Sequence, residues 1–397
     1  MNSIEQLANL VGIQEPPLKR FLVIAGELSG DLYAGRLVAT LKEVFPAAKV
    51  EGIGGENFRR AGGVTFYDSS EMASVGVKNS LSKIKFYWNV FQDIKKKINT
   101  NNYDAVILID LPDFNLRVAK IADKVGIPIF YYIVPQFWAW RRYRIKTVKK
   151  LVDVLFLALP FEQEFYDRYG IDSRFYGHPI LDELEDIPSK AIALERIGVT
   201  SEKTLIGIMP GSRESEVRTL LPTILEATKI ITEKIDAEFI ISKSESISYD
   251  FINEIVRKSG QNIKIIEADS WNFINSCDFL IAKAGTVTLK IALAGVPMVI
   301  VYKLDFISYL LASTLTYSRW VGLPNIIANK KIVPELLQYQ MTSHNIATSV
   351  ISILGNKIML GSIREEFDQV KLALGDKGAC KKAVLAISDF LNRISVK

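Results

Sequence analysis

Two stretches of this 397-residue chain set glycine and hydroxyl side by side where an apolar run ends. In "MPGSRESEV" (Met209 to Val217), Gly211 and Ser212 offer backbone N–H groups at a helix start, and Arg213 adds a two-pronged donor for phosphate oxygens. The same residues would also suit an ordinary capped helix with a solvated arginine. "AKAGTVTLK" (Ala282 to Lys290) repeats the arrangement, with Gly285 ahead of Thr286 and Thr288. Two such turns in one domain would hold the two phosphates of a nucleotide diphosphate. Neither has the spacing of a P-loop or of a dinucleotide fingerprint. A diphosphate bound without either points to a sugar nucleotide.

Carboxylates stand at comparable places in the first half. "LIDLPDFNLRVAK" ends a strand with Asp110 and places Asp113 just ahead of a helix, where it is expected to be the N-cap. Asp110 has no capping role and reads as a general base or as a plain hydrogen-bond anchor. "GELSGD" (Gly26 to Asp31) follows the strand "FLVIA". Its glycines let the backbone turn sharply and approach a ligand, with Glu27 and Asp31 facing the same opening. Two histidines, His178 and His344, and two distant cysteines, Cys277 and Cys380, give no metal or disulfide spacing, so no metal and no cofactor is expected.

These residues need strand ends to carry them. "FLVIAG", "KVEGIGG", "DAVILID", "IPIFYYIV" and "DVLFLAL" are buried-type runs divided by helical stretches, and the pattern restarts with "TLIGIMPGSR", "AEFIISKS", "NIKIIEAD", "CDFLIAKAGT" and "VPMVIVYK". Apolar strands alternating with helices imply parallel sheets covered on both faces. The fold class expected is α/β, with two doubly wound Rossmann-like domains facing a central cleft. Ligands bind such sheets beyond the carboxyl ends of the strands. The expected divisions are an extension over 1–20, a first domain over 21–183, a linker over 184–203, a second domain over 204–344 and C-terminal helices over 345–397. Those last helices are expected to pack on an N-terminal domain, either the chain's own or that of a second copy in a homodimer.

With 49% hydrophobic and 23% charged residues the composition is globular, and the net charge of +5 suits an anionic ligand or membrane surface as well as plain solvation. The polar, acid-bearing start lacks the apolar core of a signal peptide. The most apolar stretch, Ile291 to Tyr302, is too short to span a bilayer and contains Gly295 and Pro297. In "SLSKIKFYWNVFQDIKKKI" (Ser80 to Ile98), Leu81, Ile84, Trp88, Phe91, Ile94 and Ile98 recur at near-helical intervals among lysines. That suits a helix lying on anionic lipid, and equally a surface helix packed on its own sheet. In "VPQFWAWRRYRIKTVKK" the aromatic residues precede the basic ones instead of interleaving with them, so no nucleic acid is expected.

From about Phe21 to Gln338, the chain resembles the lipid-A-disaccharide synthase family. The resemblance rests on "AGELSGD", "GIGG", "IDLPDFNLR", "FWAWR", "PFEQEFY", "GHP", "PGSRESEV", "GLPN" and "VPELLQ" in that order. It implies a GT-B fold and an inverting glycosyltransferase that joins UDP-2,3-diacylglucosamine to 2,3-diacylglucosamine 1-phosphate and releases UDP. It also implies a cytoplasmic enzyme peripheral on the inner membrane, using no metal. Carried over by residue, it implies Asp110 as base, with Glu27 as second choice or acceptor-binding acid, and Arg213 on the diphosphate near Gly211, Ser212, Gly285 and Thr286. Asn325 is expected to face the nucleotide or the cleft, and Asp31 to line the acceptor side. Lys290 stands where the family pattern has an acid that, in this fold, commonly holds the nucleotide ribose, and Asn79 where an acid is usual. The competing readings are a UDP-N-acetylglucosamine 2-epimerase-like enzyme, opposed by the scarcity of histidine, and a sugar-nucleotide-binding paralogue without turnover.

Overall fold

The structure is a computed structural model and describes residues 18–26, 28–73, 81–139, 141–304 and 318–395. The chain divides into two compact units. One comprises Met1–Trp138, Arg142–Pro179 and Lys377–Lys397; the other comprises Ala139–Arg141 and Ile180–Asp376.

The first unit is built on a seven-stranded parallel sheet. Its strands are β1 (Arg20–Ala25), β2 (Lys49–Gly54), β3 (Val64–Asp68), β4 (Ala105–Ile109), β5 (Ile129–Tyr132), β6 (Val154–Leu157) and β7 (Ser173–Phe175). They lie in the order β3-β2-β1-β4-β5-β6-β7. Side chains of alternate residues serve opposite faces: Leu22, Ile24, Val106 and Leu108 join one core, while Phe21, Val23, Ala105 and Ile107 join the other. Burial on both faces is why these strands read as unbroken apolar runs.

The second unit carries β8 (Thr204–Met209), β9 (Ala237–Ser242), β10 (Lys264–Ile266), β11 (Phe279–Lys283), β12 (Met298–Tyr302) and β13 (Glu335–Leu337), also parallel, in the order β10-β9-β8-β11-β12-β13. Each sheet thus reverses its winding direction between its first strand and its fourth, β1 beside β4 and β8 beside β11.

The expected linker is structured: a 3₁₀ segment at Pro179–Asp186 is followed by a helix at Lys190–Ile197 capped by Ser189. The C-terminal helices also differ from the expectation. Ile346, Val350, Ile363 and Phe367, from the helices Ser343–Leu354 and Lys357–Ala373, belong to the second unit's core. Only the last helix, Ala379–Ser395, joins the first unit, where Val384, Ile387 and Leu391 are buried and Phe390 meets Phe130 edge-on.

Asp31 has a place in this packing. It sits in the first turn of the helix Leu28–Val44 and is buried. Its carboxylate accepts from the backbone N–H groups of Gly55, Asn57 and Phe58 and from the Asn57 side chain. A methyl group at Gly55 would lie 2.8 Å from Asp31 Oδ2, so glycine there makes room for the carboxylate. The expectation that Asp31 lines a substrate opening gives way to this inward role: its oxygens satisfy the start of the helix Glu56–Arg60.

His178 closes the first unit. It is buried edge-on against the Tyr33 ring, and burial holds its imidazole pKa down at about 3. The folded state therefore keeps it neutral, while the unfolded chain binds a proton below an ordinary pKa near 6.5. Stability is fully present above that value and is lost as pH falls, by about 2 kcal/mol between pH 7.5 and 5 from this group. Unfolding free energies from denaturant titration of the parent and of His178→Gln across that range should diverge by this amount, and parallel curves would refute the assignment.

Candidate active site

In the first sheet, Ala25 of β1 lies opposite Ile109 of β4, so the turns that follow each strand emerge together. Asp110 and Leu111 both adopt left-handed backbone, at φ 50° and 46°. Such a conformation costs an L-residue about 1 kcal/mol or more. Two donors hold it: the Tyr131 hydroxyl donates to the Asp110 carbonyl at 2.5 Å and the Asn115 amide at 2.7 Å. Burial and the nearby Asp110 charge push the Tyr131 phenol well above its usual range, which preserves the donating proton.

The glycines of "GELSGD" fit this turn. A methyl group on Gly26 would meet Leu111 Cδ2 at 2.5 Å, and one on Gly30 would lie 3.4 Å from Asp110 Oδ2. The Asp110 carboxylate therefore lies over the first turn of the helix Leu28–Val44. Glu27 and Asn79 lie outside the described residues, as does Trp140 of "FWAWR". Asp113 is not the N-cap. The N-cap residue of the helix Pro112–Lys124 is Leu111, and Asp113 pairs with the buried Arg144.

In the second sheet, Met209 of β8 lies opposite Ala282 of β11, which brings the two glycine turns side by side. Gly211 has φ 124°, and a methyl group there would lie 2.5 Å from Glu216 Oε2, so both its conformation and its surroundings require glycine. Arg213 is the N-cap residue of the helix Glu214–Thr232 and is half exposed. Ser246 donates to the Ser212 carbonyl at 2.7 Å. Thr286 precedes the helix Val287–Leu293, while Thr288 is buried and donates to the Gly285 carbonyl. Glu216 Oε1 lies 2.9 Å from Lys283 Nζ and 3.8 Å from Arg213 Nη1, and Glu216 Oε2 accepts the Ser212 N–H.

Asn325 departs from its expected position. It is fully buried; its carbonyl accepts from Ile332 and Val333 N–H, and its amide donates to the Val333 carbonyl and to Glu335. Glu335 in turn accepts the N–H groups of Val321 and Gly322. All four bonding positions of the amide are used in holding "GLPN" to "VPE", so Asn325 shapes the loop and faces neither nucleotide nor solvent. Among the described residues no three His, Cys, Asp or Glu side chains converge as metal ligands would.

Residues 21–389 match the family model described as lipid-A-disaccharide synthetase. The chain belongs to that family. A relative named lipid-A-disaccharide synthase in Syntrophus aciditrophicus is 36% identical over 369 residues, which is 92% of this chain and 96% of that protein. Among solved structures, a putative UDP-N-acetylglucosamine 2-epimerase from Listeria monocytogenes superposes with a TM-score of 0.67 at 16% identity, covering 96% of this chain and 98% of that one. MurG from Acinetobacter baumannii gives 0.57 at 14%, covering 94% and 100%. At such identities the structural likeness speaks to the fold alone, a two-domain α/β fold of the GT-B kind. Family membership makes the protein a hexosyltransferase of lipid A biosynthesis.

Position 290, where the family resemblance implies an acid, holds a lysine that does not stand alone. Lys290 Nζ lies 2.7 Å from Glu183 Oε2 and 3.2 Å from Ser270 Oγ, with the Trp271 ring 5.2 Å away. The Trp271 indole donates to the same Glu183 oxygen at 2.9 Å. Glu183 carries no signal in the sequence, because it is 107 residues from Lys290 (290 − 183) and closes the expected first domain.

The aromatic stripe of the helix Leu81–Thr100 is divided. Ile94 and Ile98 are buried with Val90 in the first unit's core, Phe91 packs against them, and Trp88 is 58% exposed. Lys85, Lys95 and Lys96 are exposed, whereas Lys97 lies over the Phe66 ring. The helix therefore packs on its own sheet, and Trp88 alone of these four stripe residues faces outward. The side chains of Leu81 and Ile84 lie outside the described residues. Among the described residues no single helix is long and apolar enough to cross a membrane.

The Lys290–Glu183 pair is mostly buried, at 15% and 8% side-chain exposure. Lys290→Glu should therefore destabilise the fold by about 3 kcal/mol through two carboxylates facing each other with little water. Lys290→Glu combined with Glu183→Lys should recover most of that loss. Urea midpoints of both variants check this, and a single variant as stable as the parent would refute the pairing.

Proposed function

We propose that the enzyme transfers 2,3-diacylglucosamine from its UDP ester to the C6 hydroxyl of 2,3-diacylglucosamine 1-phosphate, with inversion. The observation that carries this reading is the chemistry found at the two reversals of strand order. Asp110 stands at one, on a turn held rigid by Tyr131 and Asn115; Gly211, Ser212 and Arg213 stand at the other. Asp110 takes the proton of the acceptor hydroxyl as its oxygen attacks the anomeric carbon. The bond from that carbon to the phosphate oxygen breaks, and UDP leaves with the electron pair. Arg213, the Ser212 N–H and the turn at Gly285 and Thr286 neutralise charge building on the diphosphate. Glu27 is assigned to the acceptor.

The acyl chains of both substrates require work at a membrane surface. We assign the outward face of the helix Leu81–Thr100, with Trp88, Lys85, Lys95 and Lys96, to the cytoplasmic leaflet of the inner membrane. Trp88→Ala should lower cosedimentation with anionic phosphatidylglycerol vesicles about threefold or more; undiminished association would remove this face from the role.

Incubation with both acylated substrates should yield the β-1,6 disaccharide 1-phosphate and UDP. Epimer formation from UDP-N-acetylglucosamine with no disaccharide would overturn the reading in favour of an epimerase. Asp110→Asn should lower turnover by about 10²–10⁴ while leaving UDP affinity unchanged. Arg213→Ala should instead weaken UDP binding about tenfold or more. Full turnover in the first variant, or full UDP affinity in the second, removes that residue from its role.

A further inference from the structure

We propose that Lys283 is a second cation for the donor diphosphate, and that Glu216 occupies the seat of a phosphate until the diphosphate displaces it. The inference rests on the donor-site reading above and extends it to two residues outside it. Lys283 ends β11, next to the end of β8, so it stands at the reversal of strand order where the two glycine turns emerge. Its Nζ lies 2.9 Å from Glu216 Oε1, 5.4 Å from the centre of the Tyr302 ring, and 3.8 Å from where a methyl group on Gly285 would sit. The side chain is 19% exposed, so it reaches toward the turns from beneath and not from open surface.

The Glu216 carboxylate takes what a phosphate would take here. One oxygen faces Lys283 and, further off, Arg213; the other accepts the Ser212 N–H at 3.1 Å. A loop N–H, a lysine and an arginine converging on one pair of oxygens is the donor set of a phosphate site. A structural ion pair would need only one base for one acid. Here a lysine and, further off, an arginine face one carboxylate that is 14% exposed. With Lys283 and Glu216 only 19% and 14% exposed, an anion that took the place of the carboxylate would meet the lysine with little water between them.

A diphosphate entering this seat takes over the Ser212 N–H and Lys283, and the carboxylate swings away from both. Glu216 then acts against the ligand and Lys283 for it. Titration calorimetry with UDP and with UMP reads both effects. Lys283→Met should raise the Kd for UDP about tenfold or more and that for UMP by less than about threefold, because the lysine serves the second phosphate. Glu216→Gln, which keeps shape and an acceptor for Ser212 but loses the charge, should lower the Kd for UDP about threefold or more.

UDP affinity within threefold of the parent in Lys283→Met, or weakened affinity in Glu216→Gln, overturns the inference. If Lys283→Met does not fold, Glu216→Gln decides alone: unchanged or weaker UDP binding overturns the proposal. Loss of UDP affinity in Arg213→Ala without any effect in Lys283→Met would leave the donor site standing and remove only the role given to Lys283. A parent protein that binds no UDP would end both.

Discussion

Where β1 lies beside β4, and β8 beside β11, the helical crossovers depart to opposite sides, and the carboxyl ends of those strands are left without a helix across them. Whatever chemistry the chain performs has to be delivered into those two openings by the turns that border them. Short turns whose glycines admit close neighbours, and whose other residues are rigidly held, are the solution in both units.

The two openings use glycine for different ends. In the first unit, Gly26 clears space for the side chain of Leu111, so the left-handed pair at Asp110–Leu111 can fold back over the start of a helix. The strain in that pair is balanced by buried donors on the Asp110 carbonyl, which leaves the carboxylate fixed by its backbone. In the second unit, Gly211 admits a carboxylate to the turn itself, and the charge there is set by Lys283, Glu216 and Arg213 together. One opening thus presents an acid on a rigidly held turn and the other a cluster of ion pairs. That division suits the proton abstraction and the leaving diphosphate proposed for the two turns.

Much of this was legible in the amino-acid order. Apolar runs divided by helical stretches marked both parallel sheets, and "PGSR" and "IDLPD" marked turns at strand ends. What escaped notice shares one physical property: the partner is remote in sequence. Asp31 bonds to residues 24 to 27 positions away, and Glu183 meets Lys290 only through the fold. Asn325 has the composition of a ligand-binding loop residue, yet it spends its whole amide on its neighbours. Periodicity found the helix Leu81–Thr100 but could not say which side of it is covered, because the apolar stripe is wider than the face the sheet buries. Lys283 was visible as a base ending an apolar strand, and Glu216 as an acid one turn into a helix; only their convergence on Ser212 gives them meaning.

The last helix, Ala379–Ser395, covers the first unit's sheet with Val384, Ile387 and Leu391, although it is made after the whole of the second unit. During synthesis the first unit therefore emerges with one apolar flank bare, and it stays so while about 200 further residues leave the ribosome. The second unit, contiguous from Ile180 to Asp376 apart from three residues, can close before the first is finished. A nascent chain of this protein thus exposes an apolar sheet face for many seconds at ordinary elongation rates.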